Sequence, residues 1–413
     1  MKKIACLCSG QGSQFEGMGL SAGRLVQKAL AEAGSIMGLD LLELARDGDL
    51  ETISQTNYLQ PILFCYSYGN FEEWQESYQL KPDLYAGHSL GEISALACAR
   101  VIPFHEALEL VIARGALMHR CSLLSEGGMA VIKNVGEGTI DKICRKHSDG
   151  DGFVSISGYN SKNQTSISGN NIKVKKVLNE IKGAEGRGKI LQVEGPFHSI
   201  YMKEAIVEFQ NAMRNLTVCD EGQIVISCTT GLPHQLNRED LISSLSMQLV
   251  KPVRWVSVMT YMARYGVEYA VEFGAKGVLT SFVNTDTRVK AFDYSDVNSR
   301  QRILETLVPS QNENRLQLMS NCLAAAICLN NFGTEESDYR KGVQEPYLSV
   351  KRVFEELVEK KEEPTVEQMK EAVGMLESVM RTKCTPVETG NNRIAQIIEK
   401  TGVGSYFENI GLD

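Results

Sequence analysis

Three features of the sequence predict an α/β protein in three parts: a hydrolase-like core with a parallel sheet and a nucleophile elbow, an inserted ferredoxin-like small domain, and an all-helical C-terminal extension. The first is the run LYAGHSLGEISAL at 84–96, where Gly-x-Ser-x-Gly joins a short apolar strand to a helix. This pattern holds a serine hydroxyl exposed on a strained turn. The second is the order strand, helix, strand, strand, helix, strand between 128 and 194, a split βαβ arrangement. The third is a series of amphipathic helical patterns from 301 onward, with charged outer faces. The resulting boundaries are 1–126 with 195–300 for the core, 127–194 for the small domain and 301–413 for the extension.

In chain order, KIACLC (3–8) reads as a first strand, followed by the glycine turn GQGSQ (10–14). Leu25 to Met37 repeats apolar residues at helical spacing. Pro61 is placed to open a helix, PILFCYSYGNFEEW, because a proline in the first helical turn forfeits no hydrogen bond. Residues 84–86 form the strand before the elbow, and 92–100 and 104–120 are helices. In the small domain, MAVIKN, FVSISGYN, QTSISG and GKILQVE are strands, while GTIDKICRKHS and IKVKKVLNEIKG are helices. The core resumes at Gly195, with strands at 223–228, 268–274 and 291–296 and a helix over SVMTYMARYG. The extension reads as helices near 301–331, 347–361, 365–382 and 391–400, with Pro346 and Pro364 before two of them and Gly333 and Gly402 after two others. Its apolar stripes are Val350, Val353, Phe354, Leu357 and Val358, then Val366, Met369, Val373, Leu376 and Met380.

With 413 residues the chain has room for two or three domains with substantial cores. A net charge of −8 argues against a general nucleic-acid binder. No apolar stretch reaches membrane-spanning length, and the run after Lys2-Lys3 is too short for a signal peptide. The 11 cysteines lack metal-ligand spacing and read as reduced thiols of a cytoplasmic protein, with no metal site.

A serine elbow needs a base, oxyanion donors and a substrate pocket. Ser89 is the candidate nucleophile, at the start of a helix whose free N–H groups and positive dipole end favour an oxyanion. Among six histidines, His88 belongs to the elbow and lines the site without removing the serine proton. His198, at a helix entrance after Gly195-Pro196, is the candidate base; His105, His119, His147 and His234 have no supporting context. Arg114 shares a helix face with Leu110, Val111, Leu117 and Met118 and so points inward. A buried guanidinium needs a carboxylate, either from an internal Asp or Glu or from the substrate. GQGSQ lacks the third glycine of a dinucleotide fingerprint; beside the elbow it can offer a second backbone N–H.

Together, GQGSQ, Gln60-Pro61, GHSLGE (87–92), Arg114-Gly115, SGYNSKNQTSISG (157–169), GPFHS (195–199), QLVKPVRW (248–255) and GVEYAVEFG (266–274) resemble the malonyl-CoA:acyl carrier protein transacylases and polyketide synthase acyltransferase domains. The resemblance covers roughly residues 3–295. It implies Ser89 as acylated nucleophile, His198 as base oriented by the main-chain carbonyl of Gln248, and N–H groups of Gln11 and Leu90 as oxyanion hole. It implies Arg114 as holder of the malonyl carboxylate, with Phe197 and Leu90 as the malonyl-selecting residues at their positions. Two loops depart from the family pattern, with Ser9 for a proline and GAKGVL (274–279) for Gly-Pro-Gly-Lys.

The implied activity is ping-pong malonyl transfer from malonyl-CoA to the phosphopantetheine thiol of an acyl carrier protein, in fatty acid or polyketide biosynthesis, with no bound cofactor. Lys189, Lys251, Arg254 and Lys276 are candidates for meeting the acidic carrier, and the extension for meeting other synthase subunits. Two other readings remain open: a hydrolase clearing stalled acyl groups with the same Ser89 and His198, and a non-catalytic carrier-binding subunit.

Overall fold

The computed structural model describes residues 2–78, 80–183, 186–307, 311–330 and 336–407. The chain divides into two compact units, 1–304 and 305–413.

The described residues of the first unit carry nine strands, numbered in chain order: β1 (Ile4–Cys8), β2 (Leu84–Gly87), β3 (Gly127–Lys133), β4 (Val154–Ser161), β5 (Gln164–Asn170), β6 (Arg187–Ile190), β7 (Val225–Ile226), β8 (Tyr269–Phe273) and β9 (Lys290–Asp293). A parallel sheet has the order β7-β2-β1-β8-β9. β1 and β2 are buried along their whole length, as strands of a parallel sheet covered on both faces must be. One covering layer is the helix Trp255–Tyr265, whose Trp255, Val258, Met259 and Met262 pack with Ala5, Leu7, Leu84 and Ala86. Cys8 is in register with both Gly87 and Phe273, so the carboxyl ends of the three central strands stop level. The GQGSQ turn and the elbow both leave from this edge, where open α/β sheets bind their ligands.

β3 to β6 form an antiparallel sheet of order β4-β5-β3-β6. Helices Glu137–His147 and Asn171–Gly183 pack on it through Ile140, Ile143, Val177 and Ile181 against Ala130, Ile132, Ile156 and Ile167. β4 is tied to the chain just after the helix Arg238–Gln248: Tyr159 N–H donates to the Val253 carbonyl at 2.8 Å and Val253 N–H to that of Ser157 at 2.9 Å.

Several elements differ from the sequence expectation. The helix expected to open at Pro61 starts at Thr56 and runs to Tyr78. Glu194, remote in sequence, accepts the Thr56 N–H at 2.9 Å, and Gly115 lets a neighbouring helix approach the Thr56 and Asn57 backbone. Tertiary contacts thus fix the start where local proline chemistry would not. The strand expected over 223–228 is only Val225–Ile226, and that over 188–194 ends at Ile190. The helix expected after Gly195-Pro196 is Ala205–Ala212, preceded by a short turn of helix at Ile200–Met202, whereas helices Arg238–Gln248 and Val278–Asp286 lie outside the sequence expectation, although Asn237 caps the former by accepting the Asp240 N–H at 3.0 Å.

In the second unit, helices Gln311–Cys328, Glu345–Lys360, Val366–Thr382 and Val387–Thr401 surround a core that includes Leu318, Met319, Cys322, Val350, Leu357, Met369, Val373, Leu376 and Ile394. The stretch read as one helix over 301–331 holds Val297–Leu307 and Gln311–Cys328. Pro346 lies inside the first turn of its helix rather than before it, and Val358 is exposed rather than part of the apolar stripe. Thr365 and Gln368 form a capping box, and Gly402 ends the last helix at φ 66°. Gly333 lies outside the described residues.

Candidate active site

β2 ends at Gly87 and the next helix, Leu90–Cys98, begins three residues later. The turn is so tight that neither flanking glycine could carry a side chain. A Cβ on Gly87 would lie 1.9 Å from the Gly91 carbonyl oxygen, and one on Gly91 2.0 Å from that of Cys8. A Cβ on Gly10 would lie 2.5 Å from the His88 oxygen, which places the GQGSQ turn directly against the elbow. Ser89 sits at φ 55°, ψ −111°, a conformation L-residues rarely adopt. The sharp turn imposes it and aims the hydroxyl away from the sheet. Leu90 is the first residue of its helix, so its N–H has no intrahelical acceptor. Gln11 follows Gly10 in the adjacent turn, its side chain donating to Thr56 Oγ1 at 3.3 Å.

His198 also lies at positive φ, 56°. Two such residues facing each other is the kind of stored strain found at functional sites. Its Nε2 is 2.7 Å from Ser89 Oγ and its Nδ1 is 2.8 Å from the main-chain oxygen of Gln248. The carbonyl can only accept, so Nδ1 carries the proton and Nε2 presents its lone pair to the serine hydroxyl. Burial, and then the charge of Arg114, pull the imidazole pKa down to about 3. The ring is neutral at physiological pH.

Arg114 is 1% exposed. Its Nη1 donates to Gln60 Oε1 at 2.7 Å, and its Nη2 to Gln248 Oε1 at 2.8 Å and Ser89 Oγ at 3.1 Å. Its Nε, also buried, has no hydrogen-bond partner among the described residues, and no carboxylate of the described residues is among its hydrogen-bond partners. Burial lowers its pKa to about 10, which leaves it charged at neutral pH. A serine that accepts from Arg114 must turn its own proton toward His198.

The structure therefore brings Ser89, His198, Arg114 and Gln248 together from four separate segments. His88 is turned aside: its Nε2 lies 3.0 Å from Asn160 Oδ1 on β4, and its ring rests against Trp255. Burial lowers its pKa. Phe197 is buried next to His198. Lys189, Lys251, Arg254 and Lys276 are all exposed.

Sequence reasoning missed several partners. Gln60 was seen only as part of a dipeptide, yet its buried amide holds Arg114. His234, set aside for lack of context, is paired with Glu92 at 2.8 Å in the interior. His119 is paired with Glu194 at 2.6 Å. The sulfurs of Cys6, Cys8 and Cys98 lie within 4.8 Å of one another, a grouping that sequence spacing did not reveal. Burial pushes all three thiols well up, which keeps them protonated. No helix among the described residues is long and apolar enough to cross a membrane.

Residues 6–320 match the family described as "Acyl transferase domain". A malonyl CoA-acyl carrier protein transacylase of Bacillus subtilis is 29% identical over 94% of this chain and 98% of its own length. The unmatched 6% is smaller than the unit 305–413, so the likeness to this relative reaches into the helical region. The Escherichia coli (strain K12) malonyl CoA-acyl carrier protein transacylase is 34% identical over 68% of this chain and 91% of its own. A chain of the solved structure of a type II PKS acyl-carrier protein in complex with its malonyl-transacylase superimposes with a TM-score of 0.69 at 31% identity, covering 74% of this chain and 99% of that one.

Proposed function

The chain belongs to the acyl transferase family, and from that premise we propose that it moves a malonyl group from malonyl-CoA to the phosphopantetheine thiol of an acyl carrier protein, in fatty acid or polyketide biosynthesis. One observation carries the choice of acyl group. Arg114 is a buried cation 3.1 Å from Ser89 Oγ, held among the described residues by two amides and the serine and by no carboxylate. A carboxylate one methylene away from the attacked carbonyl of a small acyl group supplies the missing anion, in a bidentate contact that Arg geometry favours.

His198 Nε2 takes the Ser89 proton as Oγ attacks the thioester carbonyl. The N–H groups of Leu90 and Gln11 receive the oxyanion, a contribution of about 10²–10³ in rate per donor. The intermediate collapses, the carbon–sulfur bond breaks, and the proton on His198 passes to the departing CoA sulfur. The carrier thiol then enters, gives its proton to His198 and attacks the malonyl-serine ester. Collapse expels Ser89, which recovers the proton. The Gln248 carbonyl keeps the ring oriented throughout, so no acidic third member is required. Phe197 and Leu90 limit the space beside the acyl group.

Three parts serve this work: the core, 1–126 with 195–300; the ferredoxin-like part, 127–194; and the helical extension, 301–413, as a surface for other synthase subunits. The exposed Lys189, Lys251, Arg254 and Lys276 receive the acidic carrier. The protein acts in the cytoplasm, with no bound cofactor or metal. The test is incubation with malonyl-CoA and a holo carrier protein, followed by mass measurement of the carrier. Stoichiometric malonyl-carrier is expected. Free malonate with an unmodified carrier would instead indicate hydrolysis.

A further inference from the structure

Glu92 lies one helical turn beyond Ser89 and is completely buried. A carboxylate there is costly unless every oxygen is satisfied. Its Oε1 lies 2.8 Å from Nε2 of His234, and its Oε2 accepts the Cys228 N–H at 2.8 Å and Gln248 Nε2 at 3.0 Å. Burial opposes its ionisation, but the bonds from His234 and Cys228 prevail and hold its pKa below the usual value. The Gln248 amide thus stands between an anion and a cation. Its nitrogen faces Glu92 and also donates to the Ser89 carbonyl at 3.1 Å, while its oxygen accepts from Arg114 at 2.8 Å. An amide turned over would point its N–H₂ at the guanidinium and its oxygen at the carboxylate, losing both bonds.

We infer that Glu92, clamped by His234, is a positioning residue that fixes the orientation of the Gln248 amide and so holds the Arg114 guanidinium at the place where a substrate carboxylate meets it. This inference rests on the reading of Arg114 as the carboxylate holder. Glu92 touches no reacting atom; it acts through Gln248. Without it the amide nitrogen keeps the Ser89 carbonyl but loses its charged acceptor, and the acceptor that Arg114 uses is less firmly directed. The consequence appears in the choice of acyl donor more than in the acylation of Ser89 by a donor that lacks a carboxylate.

The test compares kcat/KM for malonyl-CoA and acetyl-CoA across variants whose folding is checked by thermal melting. Glu92→Ala is expected to lower the malonyl-over-acetyl preference by about tenfold to a hundredfold, the range set by one hydrogen bond to a charged group. Glu92→Gln keeps a carbonyl oxygen facing the amide once His234 presents its lone pair, and most of the preference should return. Should Glu92→Ala fail to fold, His234→Phe removes the clamp from the far side and should shift the preference in the same direction. In an Arg114→Ala background the Glu92 substitutions should leave the preference unchanged, because the cation they orient is gone. A preference untouched by Glu92→Ala or by its His234→Phe substitute, or equal losses for both donors, would overturn the role of Glu92. If Arg114→Ala itself leaves the preference intact, the reading of Arg114 is what fails.

Discussion

Removing the Arg114 guanidinium should separate the donors sharply. In the free protein it is 1% exposed, so solvent screening does little to weaken its interactions. Its contacts at 2.7–3.1 Å go to neutral oxygens of Gln60, Gln248 and Ser89, and its Nε is unpartnered, so a bound carboxylate gains a cation with free donor capacity. Breaking a buried charge pair by deleting one partner costs about 3–5 kcal/mol, because the other charge is left stranded. In Arg114→Ala that stranded charge is the malonyl carboxylate, and kcat/KM for malonyl-CoA should fall by about 10²–10⁴. An acetyl group strands nothing. Its rate should drop by about tenfold, the share of one charge-assisted hydrogen bond to Ser89. The assay is the formation of free CoA from each CoA ester, separated by chromatography, under subsaturating conditions with holo carrier protein present. Parallel losses for malonyl and acetyl would refute the reasoning, since Arg114 would then serve the serine or the fold and not the acyl chain.

Three further outcomes follow from the same geometry. His198, lowered to about 3 by burial and by Arg114, must be neutral to act as base, so kcat/KM should stay level from pH 5 to pH 8 on the acidic side. In Arg114→Ala the acid limb, followed with acetyl-CoA, should move upward in pH; a wild-type limb near the ordinary imidazole value would contradict this. Gly87→Ala would place a methyl 1.9 Å from the Gly91 carbonyl, an overlap with backbone that should cost about 3 kcal/mol or more, seen as a depressed Tm or insoluble protein. A fully soluble variant with unchanged Tm would show the elbow to be looser than described. Glu92 has a folded pKa below its reference of 4.5, so its stabilisation is complete above that value and is lost as pH falls through the lower, folded pKa. Glu92→Gln should flatten the loss of stability in denaturant titrations below about pH 4.5, whereas identical slopes would remove Glu92 from the acid transition.

The elbow was legible because its chemistry is local. Two glycines, a serine and a strand-to-helix change within five residues state the steric problem and its solution together. The inward turn of Arg114 was legible from helical periodicity, and the small sheet from its alternation of strands and helices. What stayed hidden was set by distant partners. No local rule says that a helix begins at Thr56 because Glu194 accepts its N–H, or that Gln60 faces Arg114. Of the two partners expected for Arg114, the internal Asp or Glu is not among its hydrogen-bond partners in the described residues, where amide and hydroxyl oxygens hold the guanidinium instead. His234 looked like an ordinary loop histidine because its partner is 142 positions away.

The central claim is that Ser89 carries the acyl group. Brief exposure of the protein to malonyl-CoA, digestion and peptide mass mapping tests it directly. The account predicts one malonyl adduct on the peptide containing Ser89, lost on addition of a holo carrier protein and absent from Ser89→Ala. An adduct on any other residue, or undiminished carrier malonylation by Ser89→Ala, would contradict it.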